Sequence, residues 1–445
     1  FCISRFGRCK MINNASKMTV SQIAHAVRSG ARTAESVMSD FLARIDSRDT
    51  EVEAFIEFDP ERALSRARAA DKMPEKGPLH GVPYAIKDII DTVDLPTAWG
   101  SPIYAGFQPR RNASCVELLN RAGAVPLGKT ITTEFAYFFP GPTRNPHGLN
   151  HTPGGSSSGS AAAVADGMAA FSLGSQTAAS LTRPAAYCGV FGYKSTQGSL
   201  DGSGVMSLSS SLDSLGLMAR SVDDLMLTLN VLHALPIEEL IEPALQTARI
   251  GFFRGPHWQE GSLDMREACE LAATTLSCKG IIVEDVDCPD ELINLTEHHK
   301  TVMAFEVARA RIFEYSQHHD QISPAFAELV ETGLGITRTA YETALSARDQ
   351  AGQTLVGIFQ KYDALMTPAA PSSAPEGIAS TGDPLFSRMW SLLRSPSVTI
   401  PWGSDKVNMP LAFQLIGRLG QDQRLLAHAR NIASKLDIGL RLPLT

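Results

Sequence analysis

Three stretches of the chain hold side chains that could do covalent chemistry. Gly154-Gly155-Ser156-Ser157-Ser158-Gly159 sets a row of hydroxyls behind two glycines, which open backbone conformations closed to other residues. Ser180 sits in a loop of small residues, with Arg183 and Pro184 close behind. Lys87 ends Gly81-Val-Pro-Tyr-Ala-Ile-Lys87-Asp88, which reads as a short buried strand closing on a charged pair. A lysine buried at a strand end loses hydration, and its neutral amine, a base, is favoured. Lysine is rarely fully buried, however, so the segment alone favours a surface Lys87 paired with Asp88.

Several schemes could use these hydroxyls. Gly155-Ser-Ser157-Ser-Gly159 formally matches the G-x-S-x-G elbow, which needs an acid and then a histidine on a later loop. The C-terminal hundred residues hold one histidine, His428, inside an amphipathic helical pattern, and His318 and His319 also fall in helical sequence. A phosphate loop fares worse: Gly154-x-x-x-x-Gly159 is followed by Ser160, where that motif needs lysine. A solvated linker is disfavoured by the apolar sequence that follows at once.

The elements that would position these residues alternate. Thr19 with Gln22 forms a capping-box pattern, and a second helix starts after Thr33, with Val37, Phe41, Leu42 and Ile45 on one stripe. Residues 51–72 read as Ala-rich helix, and Ala161–Ala165 as a smooth-faced helix suited to close burial. Glu134–Phe139 is an aromatic cluster, either plain core or one wall of a pocket near the serine loops. Ser211–Gly216 reads as a turn, and residues 236–247 as a polar, acidic connection. Residues 300–360 are largely helical, and short apolar strands recur near 250, 281, 365, 398 and 413. Such alternation predicts one large α/β/α layered domain over residues 18–445, with a central mixed, mostly parallel sheet covered by helices. Residues 1–17 are expected to be an unstructured N-terminal extension.

Composition narrows the function classes. The 445 residues are 44% hydrophobic and 20% charged, and a net charge of −7 offers no electrostatic footing for nucleic acid. No run approaches the length of a membrane span. Seven cysteines, none in a Cys-x-x-Cys pair, suit free thiols in a reducing compartment, so a cytoplasmic location is expected. Cys269, Cys278 and Cys288 lack zinc-ligand spacing.

From about residue 19 to 436 the chain resembles the amidase signature family. The blocks that carry the resemblance are Gly81–Asp88, Gly154–Ser160, Gly174-Ser-Gln-Thr-Ala-Ala-Ser180 and Arg183-Pro-Ala-Ala-Tyr-Cys-Gly189. Ser211-Leu-Asp213, Met218–Asp223 and Gln414–Gly417 follow in order. The wording near both serine loops is most similar to malonamidase-type enzymes acting on small amides.

The resemblance implies a Ser–cis-Ser–Lys triad. Ser180 takes the place of the nucleophile, Ser156 that of the bridging serine in a cis peptide, and Lys87 that of the general base, which reverses the surface reading of Lys87. The backbone N–H groups of Thr177, Ala178 and Ala179 take the place of the oxyanion hole. The family's usual loop is Asp-Thr-Gly-Gly-Ser, whereas this chain has Gln176-Thr-Ala-Ala-Ser180; if either alanine needs φ > 0, strain of roughly 1–2 kcal/mol follows. Arg183 could clamp a substrate carboxylate bidentately or support the loop through an ion pair, and Arg144 is a second candidate. The implied activity is hydrolysis of a linear carboxamide to acid plus ammonia or amine. The implied partner is a small-molecule amide; no cofactor, metal, nucleic acid or membrane is implied, and a homodimer is left open. Two rivals stand beside this reading. One is the A subunit of a glutamine-dependent aminoacyl-tRNA amidotransferase, and the other a weakly active or non-catalytic member disabled by its alanines.

Overall fold

A computed structural model describes residues 14–234 and 248–439 of the chain. The acidic connection expected at 236–247 lies outside the described residues, as does most of the expected extension. Residues 14–17 form a 3₁₀ turn in which Ala15 and Ser16 are buried, and the Ala15 N–H donates to Asp40 Oδ2 at 2.7 Å.

Among the described residues eleven strands form one sheet: β1 (Phe55–Phe58), β2 (Pro83–Lys87), β3 (Val125–Thr130), β4 (Phe171–Gln176), β5 (Phe191–Lys194), β6 (Ser214–Ala219), β7 (Arg249–Phe253), β8 (Ile282–Val286), β9 (Ala364–Pro368), β10 (Ser397–Ser404) and β11 (Pro410–Ile416). Their order is β1-β3-β2-β4-β6-β5-β10-β11-β9-β7-β8. The sheet is mixed, within one layered α/β domain. Parallel pairing is confined to two blocks, β3–β2–β4 and β9–β7–β8, and the other pairings are antiparallel. Antiparallel pairings thus outnumber the parallel ones, against the mostly parallel expectation; β10 and β11 are joined directly by a short turn, which only antiparallel strands allow.

The capping box of Thr19 and Gln22 forms, and the Thr33 hydroxyl accepts from Ser36 N to start the helix Ala34–Val52. The continuous helix expected over 51–72 is broken. Glu53 turns left-handed (φ 52°) while Asp49 accepts from Ala54 N and Phe55 N, so the chain enters β1 antiparallel to β3. Asp59 then caps the helix Pro60–Asp71. Similarly, only the first half of Ser211–Gly216 is a turn, because β6 begins at Ser214.

The helix Ser158–Ala165 is buried along its whole length, so its small residues are a packing requirement. A Cβ on Gly159 would meet Ala54 O at 2.1 Å and Ile131 N at 2.6 Å, which only glycine avoids. The six-residue helix Thr182–Tyr187 is equally buried and follows Ser180. Between the two lies β4. Ser180 follows the end of β4, and its loop is joined to the Ser156 loop beside β2, the neighbouring strand, which ends at Lys87.

Candidate active site

Lys87 is fully buried, and the pairing with Asp88 expected from the segment does not form. Asp88 instead binds the buried Lys129, Nζ to Oδ1 at 3.1 Å. Sheet position explains this: β2 lies between β3 and β4, so the end of the strand points into the core. Lys87 Nζ hydrogen-bonds Ser156 Oγ at 2.7 Å and Ser175 Oγ at 2.9 Å. Burial pulls its pKa from 10.5 down to about 7 against the opposing charge of Asp213, so the neutral amine is available at neutral pH.

Ser156 follows a cis Gly155–Ser156 peptide bond, and Gly154 before it is left-handed (φ 80°). A Cβ at Gly154 would meet Pro184 Cα at 2.9 Å, packing that ties this loop to the helix after Ser180. The Ser157 N–H donates to the Ser180 carbonyl at 3.3 Å, joining the two serine loops directly.

Ser180 borders a cavity of about 20 Å³, room for about one water-sized group. Tyr137, Phe138, Ala178, Ala179 and Arg183 are among its walls. The aromatic cluster thus serves both readings given above: Phe138 faces the cavity while Phe135 packs on Phe326 at 4.8 Å between ring centroids. Phe135 and Ala136 are both left-handed, at φ 47° and 60°, which places backbone strain next to this cavity. A larger chamber of about 220 Å³ adjoins it, sharing Ala136, Thr177 and Leu208 and reaching Ser175 and Asp213.

Ala178 and Ala179 are not among the residues with positive φ, so the strain expected from their methyl groups is absent. The N–H groups of Thr177, Ala178 and Ala179 have no acceptor among the described residues. The carbonyls, in contrast, are taken: Thr177 O by His299 Nε2 at 2.9 Å, and Ala178 O by Ser391 Oγ at 2.8 Å. Thr177 Oγ1 donates to Asp213 Oδ1 at 2.5 Å.

Arg183 is buried, and its bonds go to neutral oxygens with no ion pair among the described residues. Nη1 donates to Gly382 O at 2.6 Å; Nη2 donates to Gly155 O at 2.8 Å and Thr381 Oγ1 at 3.0 Å. Both Nη2 hydrogens are spent, and each planar two-point grip on a carboxylate needs one of them, so the bidentate clamp is closed in this arrangement. Nε, buried and without a partner, remains. Burial pulls the guanidinium pKa down to about 10. Arg144 pairs with Glu53 and donates to Leu149 O, away from these groups.

Lys87, Ser156 and the Ser180 loop thus converge. Ser175, His299, Arg388 and Ser391 join them without having been legible in the sequence. Ser175 is a hydroxyl in β4, and the parallel register beside β2, Ile86 opposite Leu173, brings it to the end of the strand one position past Lys87.

A family model described as Amidase matches residues 36–426. The chain belongs to the amidase family. Among curated relatives, the A subunit of the glutamyl-tRNA(Gln) amidotransferase from Lachnospira eligens is 30% identical, over 92% of this chain and 96% of that protein. A crystal structure of an amidase superposes with a TM-score of 0.87 at 27% identity, over 94% of this chain and 100% of that one. The peptide amidase from Stenotrophomonas maltophilia gives 0.81 at 27%, over 96% and 98%. The protein is accordingly an amidase, acting on carbon–nitrogen bonds. No helix among the described residues is long and apolar enough to cross a membrane.

Proposed function

We propose that this protein cleaves a linear carboxamide through an acyl-enzyme on Ser180, with Ser156 as relay and Lys87 as base. The observation that carries the reading is the buried Lys87 amine bonded to Ser156, with its pKa lowered to about 7. Neutral Lys87 takes the Ser156 proton as Ser156 takes that of Ser180, whose oxygen attacks the amide carbon. The N–H groups from Thr177 to Ala179 receive the developing oxyanion. The relay returns a proton to the departing nitrogen, and water attacks the acyl-enzyme by the same route. Ser175, the second hydroxyl on Lys87, holds the amine in register between the two loops.

The small cavity beside Ser180 suits a slender acyl group. Arg183 is kept as the candidate to meet a substrate carboxylate, through a single donor such as its unpartnered Nε rather than a two-point grip. A cytoplasmic location is part of the reading, supported by Cys115, Cys188, Cys269, Cys278 and Cys288, which are free thiols.

A second reading has a specific observation behind it. The curated relative named above is an amidotransferase component matched over almost its full length, which favours a chain that passes its ammonia to a partner over one that hydrolyses alone. Both readings use the same acyl-enzyme. The test is ammonia release from L-glutamine and from a panel of simple amides, by the chain alone and with candidate partner proteins. Turnover by the isolated chain supports the hydrolase, and glutaminase activity appearing only with partners supports the transferase. Unchanged turnover in Ser180→Ala would sink both, and a native serine that no fluorophosphonate labels would leave a non-catalytic role.

A further inference from the structure

The loop before Ser180 is pinned from outside by side chains far away in sequence. Its Thr177 and Ala178 carbonyls are held by His299, on the helix Leu295–Ala310, and by Ser391, on the helix Leu385–Leu392. In a planar trans peptide the C=O of one residue and the N–H of the next point to opposite sides. Fixing Thr177 O therefore aims the Ala178 N–H, and fixing Ala178 O aims the Ala179 N–H. Those two N–H groups have no protein acceptor among the described residues, and both residues line the cavity at Ser180.

His299 is itself set by a neighbour. Arg388 Nη1 lies 3.1 Å from His299 Nδ1, and both residues are buried. A guanidinium can only donate, so Nδ1 accepts and Nε2 carries the hydrogen given to Thr177 O. Burial first, and the Arg388 charge second, push the His299 pKa down to about 3, so the ring stays neutral and the tautomer does not switch near neutral pH. The chain from Arg388 through imidazole to the Thr177 carbonyl also polarises the peptide whose N–H faces the cavity.

We infer that His299, oriented by Arg388, is a positioning residue for amide cleavage: it holds the Thr177–Ala178 peptide so that the Ala178 N–H meets the developing oxyanion. The inference rests on the proposed acyl-enzyme at Ser180. It also accounts for a loop without glycine, since remote tethers supply the aim.

The test compares His299→Leu, which removes the donor, with His299→Gln, whose side-chain amide can still donate. The substrate is whichever of butyramide and L-glutamine the wild type turns over, and a fluorophosphonate reports on Ser180. His299→Leu should lower kcat by about 10²-fold, the cost of misplacing one such donor, with KM within about threefold. Its labelling rate should fall in parallel, and His299→Gln should recover most of both. A folded His299→Leu with wild-type kcat and labelling overturns the inference alone, as does a His299→Gln no better than His299→Leu. A wild type that neither hydrolyses nor labels overturns the acyl-enzyme reading and the inference with it. Should His299→Leu fail to fold, Arg388→Met, which removes the donor that orients His299 Nδ1, must show the same fall in kcat at steady KM; an unchanged kcat there overturns the inference.

Discussion

Two loops carry the two serines, and they are held by opposite means. Gly154–Ser156 depends on what it lacks: a left-handed glycine whose Cβ would strike Pro184 Cα at 2.9 Å, then Gly155, whose Cβ would strike Thr381 Cγ2 at 2.8 Å. Thr177–Ser180 has no glycine and no positive φ, and depends on bonds to Asp213, His299 and Ser391. The first loop is shaped by the backbone freedom of its own glycines, which lets it lie close against Pro184 and Thr381. The second has an ordinary backbone aimed by partners up to 213 residues away. A hydroxyl can thus be placed by permissive residues or by remote tethers, and this site uses one of each.

The sharpest way to separate the loops is to delete their hydroxyls. Ser180→Ala should lower kcat by at least about 10³-fold and abolish fluorophosphonate labelling, because the bond-forming oxygen is gone. Ser156→Ala should also lower kcat steeply while leaving a Ser180 that labels slowly, since the relay alone is lost. Equal labelling in both variants would contradict the assigned roles. Gly154→Ala comes next. Left-handed strain of about 1–2 kcal/mol adds to the clash with Pro184, so urea unfolding should show a loss of about 2–4 kcal/mol, and turnover should fall with it.

That contrast also explains what the sequence made legible. Ser156, Ser180 and Lys87 lie in short blocks whose wording suggests the roles proposed for them, and the alternating apolar segments announce an α/β layered domain. The burial of Lys87 is not local information: Gly81–Asp88 alone fits a surface Lys87–Asp88 pair, which the family resemblance reverses and the neighbours of β2 explain. β1 reads as helix because helix-forming sequence flanks it on both sides, while its pairing with β3 overrides that propensity. Arg183 looks like a carboxylate ligand because its partners, Gly382 and Thr381, are about 200 residues distant. His299 and Arg388 have no motif at all, since a tether to a backbone carbonyl needs no particular sequence around it.

A smaller effect bears on Lys87, the proposed base. Only the neutral form of Lys87 can take a proton, and its pKa is about 7. The kcat/KM profile should therefore rise about tenfold per pH unit on the acid side and level off just above neutrality. A profile flat from pH 5 to 8 would remove Lys87 from the role of base.

The smallest effect is the most instructive for the second loop. If its aim comes from tethers rather than from special backbone angles, Ala178→Gly and Ala179→Gly should leave kcat on a slender amide within about threefold, since glycine supplies the same N–H. The cost should appear in stability instead, as about 0.4–1 kcal/mol from the freer unfolded chain, measured by urea unfolding. Removing the two methyl groups also widens the roughly 20 Å³ cavity beside Ser180, so the ratio of kcat/KM for a branched acyl group over a straight one should rise. A more than tenfold fall in kcat with stability intact would mean that the methyl groups, and not His299 and Ser391, hold the loop in place. A more than tenfold rise on the slender amide would mean that the alanines throttle the site.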